Sequence, residues 1–217
     1  MPQGKTYVKI ASQTLGSAVS SVTFSNIPQN FTDLVVTAGS LTVSINSIIY
    51  VQLNGDTGTN YSNTVVYGDG TSAVSGRVSS QSSWQGFYHD STYPNAVADG
   101  IMHIMNYSNG TTYKSGLIRL NHAPTYTIAR SLMWRSTSPI TSIKLFPSSG
   151  NINTGTTFTL YGIEAAKAPY ATGGDTIVSD GTYWYHAFKT TGVFAPSKSL
   201  TADVLVIAGG GGGSARG

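Results

Sequence analysis

The chain has 217 residues, 40% of them hydrophobic and only 10% charged, with a formal net charge of +3. That apolar share supports a packed core, while its Lys and Arg are scattered and never form the cluster that nucleic-acid binding needs. There is no cysteine, which removes disulfides and thiolate metal sites, and no apolar run approaches the ~20 residues of a membrane-spanning helix. The N-terminus, Met-Pro-Gln-Gly-Lys-Thr, has no apolar signal region. A soluble protein without membrane insertion is expected.

No window holds a sustained helical stripe, and short β-branched and aromatic runs recur between turn signals instead. Tyr7-Val8-Lys9-Ile10 and Val22-Thr23-Phe24 read as short strands, and Asp33 to Thr42 as a stronger one. Within it, Leu34-Val35-Val36 is expected to be buried on both faces or to lie beside a sheet edge. Ser47 to Leu53 runs into Asn54-Gly55-Asp56, a hairpin turn in which Asn and Gly supply positive φ. Tyr67-Gly68-Asp69-Gly70-Thr71 is a second turn, and residues 79–97 read as a long polar loop carrying aromatic side chains. Ile101 to Met105 is a strand, followed by a turn at Asn109-Gly110. Thr112–Leu120, Tyr126–Trp134, Ile140–Phe146 and Thr157–Ile163 complete the series. Eight to ten strands over about 160 residues is the count of an antiparallel, jelly-roll-like β-sandwich.

The composition changes after Ile163. Residues 1–165 are assigned to the sandwich, 166–174 to a linker, and 175–217 to a partial second β module with a glycine-rich end. That module is expected to place strands at Thr176–Val178, Tyr183–Phe188 and Val204–Ile207 before the glycines of Gly209–Gly213. The two halves echo each other. Phe24 stands nine residues before Asp33-Leu34-Val35-Val36, and Phe194 nine residues before Asp203-Val204-Leu205-Val206. The echo predicts two modules that place a strand alike. The glycine run loses much backbone entropy on ordering, so the natural chain is expected to continue past Gly217.

Three segments together resemble the tail-fibre and receptor-binding proteins of bacteriophages. They are Phe24-Ser25-Asn26-Ile27-Pro28, Asn54-Gly55-Asp56-Thr57-Gly58-Thr59-Asn60-Tyr61 and Thr157-Phe158-Thr159-Leu160-Tyr161-Gly162-Ile163. Ile140 to Leu145 resembles the same family's penultimate strand. Phe188 to Phe194, and Ala202 to Gly209 running into glycines, are similar to the element before the polyglycine region of fibre adhesins. The resemblance implies a virion protein of the phage tail, usually a homotrimer. Its sandwich would dock on a tail adaptor, nozzle or other virion protein and support host attachment.

The chemistry-bearing residues point away from catalysis. Asp56 and Asp69 sit beside glycines, where Asp commonly bonds its own backbone, and Asp90 and Asp99 flank the aromatic loop. His89, His103, His122 and His186 show no metal-ligand spacing; no cofactor, metal or enzymatic activity is expected. Trp84, Phe87, Tyr88 and Tyr93 are the candidate contact residues. Three roles stand open for them: capping the sandwich, a protein interface, or stacking on a host surface glycan. Competing with the fibre reading are a capsid decoration or head-fibre protein and a carbohydrate-binding module.

Overall fold

A computed structural model describes residues 6–91, 97–122, 126–164, 169–180 and 183–207. The chain divides into two compact units, one spanning Lys5–Ala165 and the other containing Ala166–Gly217. No helix occurs among the described residues, and every strand pairing is antiparallel.

The first unit is built from β1 (Tyr7–Thr14), β2 (Val22–Phe24), β3 (Asp33–Leu41), β4 (Ser47–Leu53), β5 (Tyr61–Gly68) and β6 (Ala73–Gln81). It continues with β7 (Trp84–His89), β8 (Ala98–Met105), β9 (Lys114–His122), β10 (Tyr126–Trp134), β11 (Ile143–Pro147) and β12 (Thr157–Ile163). These form a β-sandwich of an eight-stranded sheet, ordered β1-β12-β3-β8-β9-β10-β5-β6, and a four-stranded sheet, ordered β2-β11-β4-β7.

The pairings nest. β4 pairs with β7, β3 with β8, β2 with β11 and β1 with β12. Two further hairpins, β9–β10 and β5–β6, add to the larger sheet beyond β8 and make it wider than its partner. β7 is an edge strand of the smaller sheet, as β2 is at its other side, and β6 is open to solvent along nearly all of both faces.

Side-chain alternation explains where the core sits. In β4, Ser47, Ile49, Val51 and Leu53 are buried while Ile48, Tyr50 and Gln52 are half-exposed, the period of two expected of a sheet with one wet face. β9 and β10 alternate in the same way. The buried faces meet around Tyr61, whose ring stacks on Trp134 at 6.1 Å and meets Trp84 edge-on at 6.0 Å. Each such side chain contributes roughly 1.5–3 kcal/mol by leaving water. Space in this layer is short: a Cβ added at Gly100 would stand 2.7 Å from the Phe87 ring.

The β4–β5 turn follows its sequence signal, with Asn54 at φ 54° and Gly55 at φ 69°. Asn54 also ties the turn to the segment before β11. Its Oδ1 accepts from the Thr141 amide at 2.8 Å and its Nδ2 donates to the Pro139 carbonyl at 2.8 Å.

Two expectations fail here. The loop read across 79–97 contains the end of β6 and all of β7. The first unit also holds twelve strands among its described residues, more than the eight to ten expected. β6 was illegible as a strand because, lying beyond the cover of the smaller sheet, it has no need of an apolar face.

In the second unit, β13 (Ala171–Thr172) pairs with β16 (Ala195–Pro196), and β14 (Thr176–Ser179) pairs with β15 (Trp184–Ala187). β13 thus lies within the segment read as a linker, whose residues 166–168 are outside the described ones. Most of the described side chains here are exposed; Ala171 is the one buried hydrophobic among them. Val204–Ile207, expected to be a strand, has no secondary structure. Its four side chains are 82–85% exposed. No backbone among the described residues pairs with this run, so its β-branched composition alone does not make it a strand.

Candidate functional site

The segment read as a polar loop carrying the candidate contact aromatics holds strand β7. Trp84 and Phe87 point inward and are 0% and 1% exposed, with Phe87 packed near Phe158. Their rings are part of the sandwich interior, so neither reaches a ligand or a partner. Tyr93 lies outside the described residues. Tyr88 is half-exposed at the surface.

A bulge gives Tyr88 its neighbours. Tyr50 pairs with Gln85 and Ile48 with Tyr88, so β7 spends one residue more than β4 over the same stretch. Residues 85 and 88, which an unbroken period of two would send to opposite faces, are therefore both half-exposed. Tyr88 meets the Tyr126 ring edge-on at 5.7 Å, and Tyr126 lies 6.2 Å from Tyr67. On β4, Tyr50 lies 5.7 Å from Phe146. Four strands, β4 and β7 of the smaller sheet and β5 and β10 of the larger, thus assemble a tyrosine-rich surface along the β7 edge.

Arg130 is set into that surface. It occupies an inward position of β10, between Ile128 and Leu132 in the alternation, and is only 6% exposed. Its Nη1 donates to Gln85 Oε1 at 2.9 Å and weakly to the Gln85 carbonyl at 3.4 Å. Nε is buried and meets no acceptor among the described residues. Burial pushes its pKa down to about 10, against the opposing pull of the neighbouring Tyr50 and Tyr88 hydroxyls.

Beside Tyr88, His122 lies 4.9 Å from His89 and accepts a hydrogen bond from the Asp90 amide through Nε2 at 3.3 Å. Burial and the adjacent His89 hold His122 below the usual imidazole range, with Asp90 pulling the other way. Burial also raises Tyr88.

The carboxylates named by the sequence are engaged in local structure. Asp56 accepts from the Gly58 amide at 2.8 Å, Asn60 Nδ2 at 2.9 Å and Trp134 Nε1 at 2.7 Å. Burial would raise its pKa, but these three donors together outweigh it and hold the carboxyl below its ordinary value. Asp69 accepts from the Thr71 and Ser72 amides and is lowered by them. Asp99 accepts from the Ser40 amide, and Asp33 pairs with His103 at 2.8 Å. No group of three His, Asp or Glu among the described residues is placed to hold a metal.

Arg130, Gln85, Tyr50, Tyr67 and Tyr126 were missed by sequence reasoning. One signal was present: in Tyr126–Trp134 an arginine takes the parity otherwise held by Ile128, Leu132 and Trp134. Compared with protein-family models, curated proteins and solved structures, the chain matches none.

Proposed function

We propose that the chain is a structural protein of a phage virion, a tail-fibre component whose sandwich docks on the tail and whose copies assemble as a homotrimer. The observation that carries this reading is the apolar surface that one copy leaves in water. Val193 is 77% exposed and Val204, Leu205, Val206 and Ile207 are 82–85% exposed. A contiguous β-prone run of this kind is stabilised by pairing with another chain, which a fibre supplies and a lone domain does not. The outer face of the eight-stranded sheet adds Met105, Leu117, Met133 and Val66, all 42–55% exposed.

Two further features support it. The nested pairings of β1–β4 with β12, β11, β8 and β7 are the reason we read the sandwich as a jelly roll, an architecture shared by viral and lectin domains. The fibre-like segments also have structural positions: Phe24 and Ile27 are buried, Asn54–Tyr61 carries the β4–β5 turn, and Thr157–Ile163 is β12. The function is passive. A neutral surface rich in hydroxyls and aromatics makes the contacts, and three copies multiply a weak affinity.

The test is the mass of the purified chain in solution by light scattering coupled to size exclusion. A species near three times 22.8 kDa is expected. A monomer at micromolar concentration overturns the self-assembling fibre and leaves a capsid decoration protein as the alternative, which copy number per virion then checks.

A further inference from the structure

We propose that the tyrosine surface around Arg130 binds a carboxylate-bearing sugar residue, the guanidinium taking the carboxylate and the tyrosine rings the sugar face. The proposal starts from an anomaly of charge. A guanidinium taken out of water is costly unless a counter-charge replaces the lost solvation. The ion pair found among the described residues is His103 with Asp33, and Arg130 has none. Its partner is the neutral Gln85, which uses Nη1. Nε is buried and meets no acceptor among the described residues, and both hydrogen bonds to Gln85 come from Nη1 rather than Nη2.

Such an arrangement is poor as core packing. At an inward position between Ile128 and Leu132, an apolar side chain would fill the space without the charge penalty. Departures of this sort from local consistency are expected where a site is kept for a ligand. The planar fork of Arg matches a carboxylate with two parallel hydrogen bonds. One guanidinium balances one negative charge, so a carboxylate suits it better than a doubly charged phosphate.

The surroundings select a sugar among carboxylates. Gln85, which holds Arg130, stands opposite Tyr50 on β4 and shares the exposed side of β7 with Tyr88, and Tyr126 continues the surface from Tyr88. Each ring offers a flat apolar face with a hydroxyl at its rim, which suits the apolar face and hydroxyl edge of a pyranose. Gln85 is an amide donor at the same place, already positioned by Arg130. Uronic and sialic acids carry all the groups this surface can use. The site belongs to the sandwich itself and does not depend on the fibre reading: a monomer that binds acidic sugar keeps this proposal and loses that one.

The experiment is a glycan array probed with the full chain, each uronic- or sialic-acid glycan printed beside its carboxyl-reduced counterpart. Hits are then titrated by calorimetry. At least one acidic glycan is expected to bind, and to bind about tenfold or more tightly than its reduced form, the loss that follows from one charge-assisted hydrogen-bond pair. Arg130→Gln is expected to abolish that preference, and Tyr88→Ala to weaken acidic and reduced forms alike. Arg130→Met, freed of the unpaired charge, is expected to melt about 2–4 °C higher than the wild type. Because the reduced glycans test the carboxylate on the wild-type chain, the proposal does not hang on any variant folding. Absence of binding to every acidic glycan overturns it. So does equal affinity for acidic and reduced forms, or a folded Arg130→Gln chain that still prefers the acid.

Discussion

Asp33-Leu34-Val35-Val36 and Asp203-Val204-Leu205-Val206 are nearly the same sequence in opposite circumstances. In β3, Leu34, Val35 and Val36 are 0–1% exposed; Val204, Leu205 and Val206 are 82–85% exposed and form no strand. The difference is the company each run keeps. β3 lies between β12 and β8, so that Val36 stands opposite both Leu160 and Met102. Nothing among the described residues pairs with residues 203–207. A β-prone run becomes a strand when backbone partners satisfy its amides and a second layer covers its side chains. Both requirements are met by residues far away in sequence, which the run itself does not encode.

That contrast is open to direct attack, and the largest effect should come from its buried member. Leu34→Ala is expected to cost about 2–5 kcal/mol in a denaturant melt of the sandwich, the penalty for opening a cavity at a fully buried leucine. A loss under 0.5 kcal/mol would mean that β3 is less securely enclosed than its burial indicates.

Next in size is Asp56→Ala, which strips the acceptor from Gly58, Asn60 and the buried Trp134 indole. A loss of about 1–3 kcal/mol is expected by the same melt, since a buried donor is left without a partner. Its pH dependence sharpens the point. With a folded pKa below the ordinary 3.8, Asp56 stabilises fully above that value, and its contribution disappears as pH falls through the folded pKa.

A smaller acid effect should appear earlier, from His122. Its folded pKa lies below the ordinary 6.5, the reverse of a histidine that gains an acidic partner. Between the two values the unfolded chain binds a proton that the folded chain does not, so stability falls as pH drops through that window. Melting temperatures from pH 7.5 down to 5 should decline, and His122→Phe should flatten the decline. A flat wild-type profile would show that His122 titrates alike in both states.

The smallest effect belongs to the exposed member of the pair. Val206→Ser is expected to change the melt of a single sandwich by less than about 0.5 kcal/mol, yet to lower the mass of the assembly seen by light scattering. An unchanged mass would remove residues 203–207 from the assembly surface and leave the sheet face around Leu117 to supply it.

Much of the sandwich was legible. The bounds of β2, β4, β10 and β12 follow from apolar runs and their flanking turn residues, and Asn54-Gly55 announced its positive φ. β6 and β7 were not legible, for separate reasons. β6 is wet on both faces and has no periodicity to detect, while the bulge in β7 breaks the alternation of Gln85 and Tyr88. Trp84 and Phe87, for which capping the sandwich, a protein interface and glycan stacking all stood open, lie in the core because β7 closes the smaller sheet. Arg130 was visible as a charge at an apolar parity. Its gathering with Tyr88 from β7 and Tyr50 from β4 was not.

The sequence by itself determined that the chain is all-β, where most strands begin and turn, and that its surface is nearly neutral, because composition and period two act locally. Tertiary structure decided the rest: which apolar runs are enclosed, which aromatic rings stay wet, and what surrounds Arg130. Strand pairing and layer cover join residues tens of positions apart, and a one-residue bulge is enough to change the face on which a side chain emerges.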